Sequence, residues 1–227
     1  MALPSVSIVR RYDTHRLVHS RRGDSVLVRV ADDDAHLADV FDLDQATNDR
    51  LLAEHGLAPG IGPHELVFGV AFAAVVNAAF CHPHPLGARF NGPDRGAWYA
   101  AFEVETAHAE VAFHKSVELA EIDRWDESVI YDDYLADFSA PFHDLRGETP
   151  FAACLTRDSY IASQELAERL VDAGSAGLVY SSVRRAGGIC LVCFRPALVG
   201  HVRRDAAWRF TWSGSDTPAI EPLAKSR

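Results

Sequence analysis

Two short apolar runs joined by a pair of glycines constrain most strongly what this chain can fold into. Leu178 to Val183 and Ile189 to Phe194 each have the length and composition of one buried strand, and five residues connect them. Gly187 and Gly188 permit the positive backbone angles that a tight reversal requires. The pattern therefore predicts a β-hairpin.

A helix is predicted directly before this hairpin. Ser163 can cap its start, and Leu166 and Leu170 follow at helical spacing on one face. Gly174 ends the pattern at the position where a glycine commonly closes a helix. An apolar helix face followed by two apolar strands indicates one packed layer at this end of the chain.

Five further elements are predicted upstream. They are a strand at Ser25 to Val30, helices at Asp44 to His55 and Glu65 to Phe80, a strand at Trp98 to Phe102, and a helix from Thr106, its cap, to Ile122. Helices and strands mix without strict alternation, which favours the α+β class over a doubly wound sheet. The 227 residues are enough for one compact domain.

The charge balance limits the partners that the chain can have. It carries 32 acidic and 22 basic residues, a formal net charge of −10. Such an excess opposes non-specific attraction to nucleic acid, so we expect no direct nucleic-acid binding, and it favours a basic partner. Net charge does not describe local arrangement, so a cluster of arginines that binds a small anion stays open.

The N-terminal residues lack the charged and apolar regions of a signal peptide, and we expect a cytoplasmic protein. The apolar stretch from Leu66 to Cys81 is interrupted by Gly69 and Asn77. It is also shorter than the roughly 20 residues that span a bilayer, so we expect no membrane segment.

Cys190 and Cys193 form a C-x-x-C pattern inside an apolar run. A redox or zinc pair usually lies at a turn or a helix start, and no second cysteine pair completes a metal site. We therefore predict that both are buried in a strand as small apolar side chains.

Glu110 is the first polar residue in an unexpected place. On the predicted helix it shares a side with Phe113 and Val117, where a carboxylate is costly unless it is used. Two structural alternatives are a solvated residue at the edge of that face and a carboxylate paired with a structural arginine.

His114 follows Glu110 by one helical turn and is more typical of a structural histidine. A metal site built from His82, His84 and His114 lacks a recognisable ligand pattern, and we predict no metal site.

The loop from Gly87 to Pro93 carries Arg89 and Asn91 between residues that permit irregular backbone. An arginine placed in this way can bind a diphosphate with its planar fork, or it can tie the loop to a nearby carboxylate. Polar residues also gather at the end of the first hairpin strand, from Tyr180 to Arg184, which by themselves indicate a turn.

Taken together, these features resemble the RES domain, a family named for its arginine, glutamate and serine. The matching segments, in the family's order, are Arg89-Phe90-Asn91, Trp98-Tyr99-Ala100-Ala101, Ala109 to His114, Tyr160 to Ala167 and Gly177 to Arg184. Ser182 matches the family's serine, and Ser181 stands where family members often carry proline. The resemblance covers roughly Arg16 to Leu198.

The resemblance implies a fold related to ADP-ribosyltransferases, NAD as the substrate, and a cognate Xre-type helix-turn-helix antitoxin as partner. We expect the chain to consist of an N-terminal, partly helical elaboration over residues 1–80, a RES core over 81–200 and a C-terminal extension over 201–227, together forming one globular unit. The protein would be a toxin that cleaves the nicotinamide–ribose bond and depletes NAD, as a glycohydrolase or a phosphorylase.

The same resemblance assigns roles to the residues. Glu110 would stabilise the positive charge that develops on the ribose, Arg89 would hold the pyrophosphate, and Ser182 would hydrogen-bond the nucleotide. Tyr99 would stack on the nicotinamide or ribose. The further predicted substrate contacts are Asn91, Arg184 and Arg16, with no prosthetic group required.

Two other functions stay open at this point. The same site could transfer ADP-ribose to a protein acceptor, or the domain could bind NAD without turning it over. The sequence also leaves open whether the chain forms a homo-oligomer.

Overall fold

The computed structural model of the protein describes residues 3–20 and 60–224. Its strands are β1 (Val6–His19), β2 (Trp98–Ala101), β3 (Asp126–Asp144), β4 (Gly177–Ser181), β5 (Ile189–Cys193), β6 (Gly200–Ser213) and β7 (Ala219–Pro222). Its α-helices are α1 (Ala73–Cys81), α2 (Val104–Glu121) and α3 (Ile161–Asp172). The strand predicted at Ser25 to Val30 and the helix predicted at Asp44 to His55 lie outside the described residues.

The strands form one mixed sheet in the order β1-β2-β5-β4-β3-β6-β7. Strand β1 also pairs with β3 along most of its length, from Val6 opposite His143 to His19 opposite Tyr131. Strands β1 to β5 therefore close into a ring of pairings, and β6 and β7 extend the sheet from β3. The predicted α+β class is confirmed.

Three apolar cores fix the helices on this sheet. The first joins all five strands of the ring to α1, through fully buried side chains such as Trp98, Phe142 and Leu191. The second packs α3 on β4 and β5 through Leu170 and Leu178. The remaining core packs α2 on β3 and β6, and its members include Leu119, Val129, Phe210 and Trp212.

The hairpin predicted from the sequence is confirmed. Strands β4 and β5 pair antiparallel from Gly177 opposite Cys193 to Ser181 opposite Ile189. Gly187 in the connection has the expected positive φ of 76°. The connection therefore turns directly beside the polar end of β4.

Helix α3 is confirmed as an element, but Ser163 is not its cap. The helix begins at Ile161 with Tyr160 at the cap position, and the buried Ser163 hydroxyl donates a hydrogen bond to the Tyr160 carbonyl within the first turn. Gly174 follows the helix with φ 75°, as predicted.

The other two helices begin at different residues from those predicted. Helix α1 begins at Ala73 rather than Glu65, because Gly69 and Phe72 adopt left-handed backbone conformations that interrupt the pattern. Helix α2 begins three residues earlier than predicted, with Glu103 rather than Thr106 at the cap. Thr106 lies inside its first turn and donates a hydrogen bond to the Glu103 carboxylate.

The sheet runs across both predicted segment boundaries. Strand β1 comes from the first predicted segment and most of β6 from the third, yet both pair with β3 in the middle segment. The boundaries at residues 80 and 200 stay predictions, and the described parts of all three segments share one sheet.

Cys190 and Cys193 are buried free thiols in β5, which confirms the prediction that they are core residues. Burial raises the pKa of Cys193 to about 12. The thiol therefore stays protonated and is a poor nucleophile at neutral pH.

Among the described residues, no helix is both long enough and apolar enough to cross a membrane.

A bidentate ion pair fixes the segment before α1 to the end of β5. The two terminal guanidinium nitrogens of Arg95 donate to the Glu65 carboxylate, at 3.0 and 2.7 Å, and one of them also donates to the Phe194 carbonyl. The hydrogen bond from Arg95, together with the nearby positive charge, lowers the pKa of Glu65 below its ordinary value of 4.5.

Glu65→Gln is expected to lower the free energy of unfolding at pH 7 by about 2 kcal/mol, since it removes a hydrogen-bonded charge opposite Arg95. Because the folded pKa is lowered, the carboxylate stabilises the protein above pH 4.5 and loses this effect as the pH falls through the folded pKa. Urea unfolding at pH 7 and at pH 3 measures the difference. The exposed Glu168→Gln serves as control, and an equal deficit at both pH values would contradict the role of the ion pair.

Candidate functional site

Glu110 and Ser182 meet directly although they are distant in the sequence. The Ser182 hydroxyl donates a hydrogen bond to Glu110 Oε1 at 2.7 Å. The same hydroxyl oxygen accepts hydrogen bonds from the amides of Arg184 and Arg185, each at 3.1 Å. With both amides directed at its oxygen, the hydroxyl has its proton free for the carboxylate, which fixes the orientation of Glu110.

The predicted apolar side of α2 is only partly right. Val117 is 43% exposed, whereas Leu119 is 1% exposed, and Val111 packs beside it on β3 and β6. Glu110 is half-buried at the margin of that face and is directed toward the end of β4. The two structural alternatives given for Glu110 were a solvated residue and a pair with an arginine. Neither included a hydrogen bond from a serine.

Cys190 lies beside the same carboxylate, with Sγ 3.7 Å from Glu110 Oε1. Burial, and then the charge of Glu110, raise the pKa of this thiol well above its ordinary value. The neutral thiol gives one wall of the Glu110 environment a low polarity, which strengthens the electrostatic effect of the carboxylate.

Arg89 is 6% exposed and is bound by the segment that precedes α3. Its Nη1 donates to the carbonyls of Cys154 and Thr156, at 3.2 and 2.7 Å. The guanidinium also lies over the Tyr160 ring, 4.8 Å from the centroid. Arg89 therefore braces its loop through backbone carbonyls and an aromatic ring. The alternative raised from the sequence was an ion pair with a nearby carboxylate.

Tyr99 and Asn91 hold the same loop from the side of β2. The Tyr99 hydroxyl accepts a hydrogen bond from the Phe90 amide and donates one to Asn91 Oδ1, both at 2.9 Å. The amide group of Asn91 donates in turn to the Gly92 carbonyl. Burial raises the pKa of Tyr99, so its hydroxyl stays protonated and continues to donate.

Tyr180 is a central residue to which the sequence assigned no role beyond its place in the polar segment from Tyr180 to Arg184. Its ring is 5% exposed and contacts the Phe90 ring edge-on at 4.8 Å. Burial raises its pKa strongly, and the charges of Glu110 and Arg89 act on the same phenol with opposite signs. Tyr180 thus lies between the Arg89 loop and Glu110. The sequence feature that could have identified it is its position on β4, two residues before Ser182.

The turn after β4 is fixed on both sides. The Arg184 guanidinium lies 3.3 Å from the centroid of the Phe113 ring and donates to the Arg157 carbonyl. Arg157 donates back to the Val183 carbonyl, and Arg185 donates to the Thr106 hydroxyl. Because α2 and the segment before α3 both bind this turn, Ser182 keeps a fixed position beside Glu110.

Arg16 contacts the site through the backbone of β2. Its Nη1 donates to the Tyr99 carbonyl at 3.2 Å, and its guanidinium lies over the Trp98 ring. Burial lowers its pKa to about 10, so it stays charged at neutral pH. Arg16 braces the strand that carries Tyr99.

The structure therefore groups the predicted residues around two centres. Glu110, Ser182 and Arg184 form one, and Arg89, Asn91 and Tyr99 form the other, with Tyr180 between them. Within residues 3–20 and 60–224, no three histidine, cysteine, aspartate or glutamate side chains are arranged to hold a metal ion. The arrangement offers one fixed carboxylate and one buried cation, and both charges act on Tyr180 between them.

Arg89→Lys is expected to lower the free energy of unfolding by about 2 kcal/mol, because an ammonium cannot reproduce two carbonyl contacts and the stacking on Tyr160. The control is Arg124→Lys, which changes an exposed arginine in the same way. Urea unfolding of both variants measures the effect. Equal stability of the two would contradict the bracing contacts of Arg89.

Comparison with protein families gives a match to a known domain. The sequence model of the family described as "RES domain" matches residues 66–213, which is more than half of the chain. These residues include both centres of the site, and Arg16 lies outside them.

Individual proteins are less similar to the chain than the family model is. No curated protein matches the chain. Among solved structures, the chain is similar to one in the MbcT-MbcA toxin-antitoxin complex of M. tuberculosis, with 13% sequence identity, a TM-score of 0.49, and coverage of 90% of this chain and 87% of that one.

Proposed function

The chain belongs to the RES-domain family, and from that membership and the geometry of its site we propose that it is a toxin that cleaves NAD at the nicotinamide–ribose bond. The proposal includes the glycohydrolase reaction, with water as acceptor, and the phosphorylase reaction, with phosphate as acceptor.

The observation that carries this proposal is the hydrogen bond from Ser182 to Glu110. When the bond between the ribose and nicotinamide breaks, its electron pair leaves with nicotinamide and positive charge develops on the ribose. A carboxylate that is already oriented stabilises this charge without reorganising. Nicotinamide leaves as a neutral molecule, so the step requires no general acid.

Other residues would bind and orient the dinucleotide. Arg89 would contact the pyrophosphate with the donors that Cys154 and Thr156 do not use, and Asn91 would help to shape the same loop. The ring of Tyr99 would stack on the nicotinamide or ribose, since its hydroxyl is already bound to the loop. Arg184 and Arg16 would complete the positively charged surroundings.

The experiment that tests the proposal incubates the purified protein with NAD labelled in the adenosine part. Release of nicotinamide together with free ADP-ribose supports hydrolysis, and ADP-ribose 1″-phosphate formed only in phosphate buffer supports phosphorolysis. NAD that binds but remains intact over long incubation would overturn the proposal in favour of a non-catalytic NAD-binding module.

ADP-ribosyl transfer to a protein is the alternative reaction of the same site. The half-buried position of Glu110 between the turn after β4 and Cys190 favours a small acceptor over a protein side chain. Adding cell extract to the labelled reaction distinguishes the two, because label recovered on macromolecules would support transfer.

An NAD-consuming enzyme harms its own cell unless it is restrained, and we propose a cognate Xre-type antitoxin as the restraint. The net charge of −10 suits a partner with basic groups at the contact. Co-expression with a small helix-turn-helix protein from the neighbouring gene tests this. Persistent NAD depletion with no complex on co-purification would contradict the partnership.

A further inference from the structure

The loop that carries Arg89 is a tight reversal with few backbone contacts of its own. The Ala88 amide donates to the Asn91 carbonyl at 2.9 Å, and the Asn91 amide donates back at 3.4 Å, so Arg89 and Phe90 form the tip between them. One further amide, that of Gly87, donates to His84. Arg89 and Tyr99 fix the tip and one side of this reversal, and its base needs further support to keep one shape.

Gln164 supplies that support from α3. Its Nε2 group lies within hydrogen-bond distance of three carbonyl oxygens of the loop, those of Leu86, Ala88 and Asn91, at 3.2, 3.0 and 3.2 Å. Because the group carries two N–H donors, one of them is shared between two of these oxygens. Two of these carbonyls are the ones that form the reversal. The amide group therefore caps the base of the turn that presents Arg89.

The approach is close because Gly87 has no side chain. A Cβ at this glycine would lie 2.3 Å from the Asn91 carbonyl oxygen and 2.8 Å from Gln164 Nε2. The backbone there also has a φ of 70°, which other residues rarely adopt. The sequence thus reserves the space that the glutamine amide needs.

The helix behind Gln164 is rigidly placed. Leu166 and Leu170, on the same helix, are 3% and 0% exposed and pack on β4 and β5. These strands also carry Tyr180 and Cys190, and Ser182 directly follows β4. A side chain that joins α3 to the Arg89 loop therefore sets the loop's position relative to the Glu110 centre.

We propose that Gln164 is a positioning residue for substrate binding, which holds the Arg89 loop in the shape that receives the dinucleotide. This role deepens the proposed NAD-cleaving function and rests on it. Gln164 acts through Arg89 and Asn91 and does not itself contact the reacting atoms. Its loss weakens binding in the ground state and in the transition state equally, which raises KM and leaves kcat near the wild-type value.

Two substitutions test the role. Gln164→Met keeps the length of the side chain but removes the donor, and Gln164→Glu places a carboxylate opposite three carbonyl oxygens. We expect KM for NAD to rise on the order of tenfold in the Met variant and further in the Glu variant. Glu168→Gln, an exposed charge change one turn along α3, serves as control and keeps the wild-type KM.

Hydrogen exchange of the Gly87 and Ala88 amides gives a readout that does not depend on catalysis. Faster exchange at these amides in the Met variant, with the amides of β4 and β5 unchanged, supports the role. If KM rose in the Glu variant but stayed at the wild-type value in the Met variant, the added charge would explain the effect, and the positioning role of Gln164 would be overturned. Absence of NAD turnover in the wild type would overturn the proposed function, and loop exchange would then decide the positioning role by itself.

Discussion

Glu110→Gln is expected to reduce NAD cleavage by about 100- to 1,000-fold, equivalent to roughly 3–4 kcal/mol in the barrier. The substitution keeps the shape of the side chain and an oxygen that can accept the hydrogen bond from Ser182. It removes the negative charge that faces the developing cation. The loss should therefore appear in kcat, measured as nicotinamide release, with little change in the free energy of unfolding.

The control for this substitution is Glu121→Gln at the end of the same helix. Glu121 is exposed and lies three turns beyond Glu110, so the variant changes the charge of α2 without touching the site. It should cleave NAD at the wild-type rate. Wild-type turnover by the Glu110→Gln variant would refute the assignment of Glu110, and failure of both variants to fold would be visible in urea unfolding.

Gly177→Ala is expected to have the largest effect on stability, of at least about 4 kcal/mol. Gly177 opens β4 with φ 142°, and a Cβ there would lie 2.0 Å from the Val192 carbonyl oxygen and 3.0 Å from the Phe142 ring. The atoms in the way belong to the backbone of β5 and to the fully buried Phe142. Neither can move without separating the strands that carry the site.

Gly147→Ala is the control for a positive φ without close contacts. Gly147 also has a positive φ, 74°, but a Cβ there would meet no atom within 4 Å. Its substitution should cost about 1 kcal/mol, the strain of the left-handed conformation. Comparing the two variants by urea unfolding measures the steric contribution at Gly177, and similar stability of both would contradict the close approach of β4 and β5.

Local sequence patterns predicted the helices and strands in which apolar side chains recur with a clear spacing or form one continuous run. The β4 and β5 hairpin, the helix α3 and the helix α2 follow from apolar spacing and glycines, because each buries one face or one continuous run. The start of α1 was missed because left-handed residues at Gly69 and Phe72 interrupt an apolar stretch that looks helical.

The long strands β1, β3 and β6 escaped prediction for a different reason. Strand β3 contains the buried Asp132 and Asp133, which break the expected alternation, and it runs unbroken from Asp126 to Asp144. An oxygen of each carboxylate is bound by a residue far away in the chain, Arg204 for Asp132 and His15 for Asp133. A buried polar residue with a distant partner resembles a surface residue when only the sequence is read.

The candidate residues and their order along the chain could be selected from the sequence, since Arg89, Tyr99, Glu110 and Ser182 stand in motifs of recognisable composition. Their partners could not be selected in this way. Glu110 and Ser182 are 72 positions apart and meet only because α2 packs on the sheet beside the end of β4. Gln164 and Tyr180 gained their importance in the same manner, through contacts with the Arg89 loop that no local period encodes. Periodicity records which face of an element is buried, whereas the identity of what lies against that face depends on how the whole chain closes its sheet.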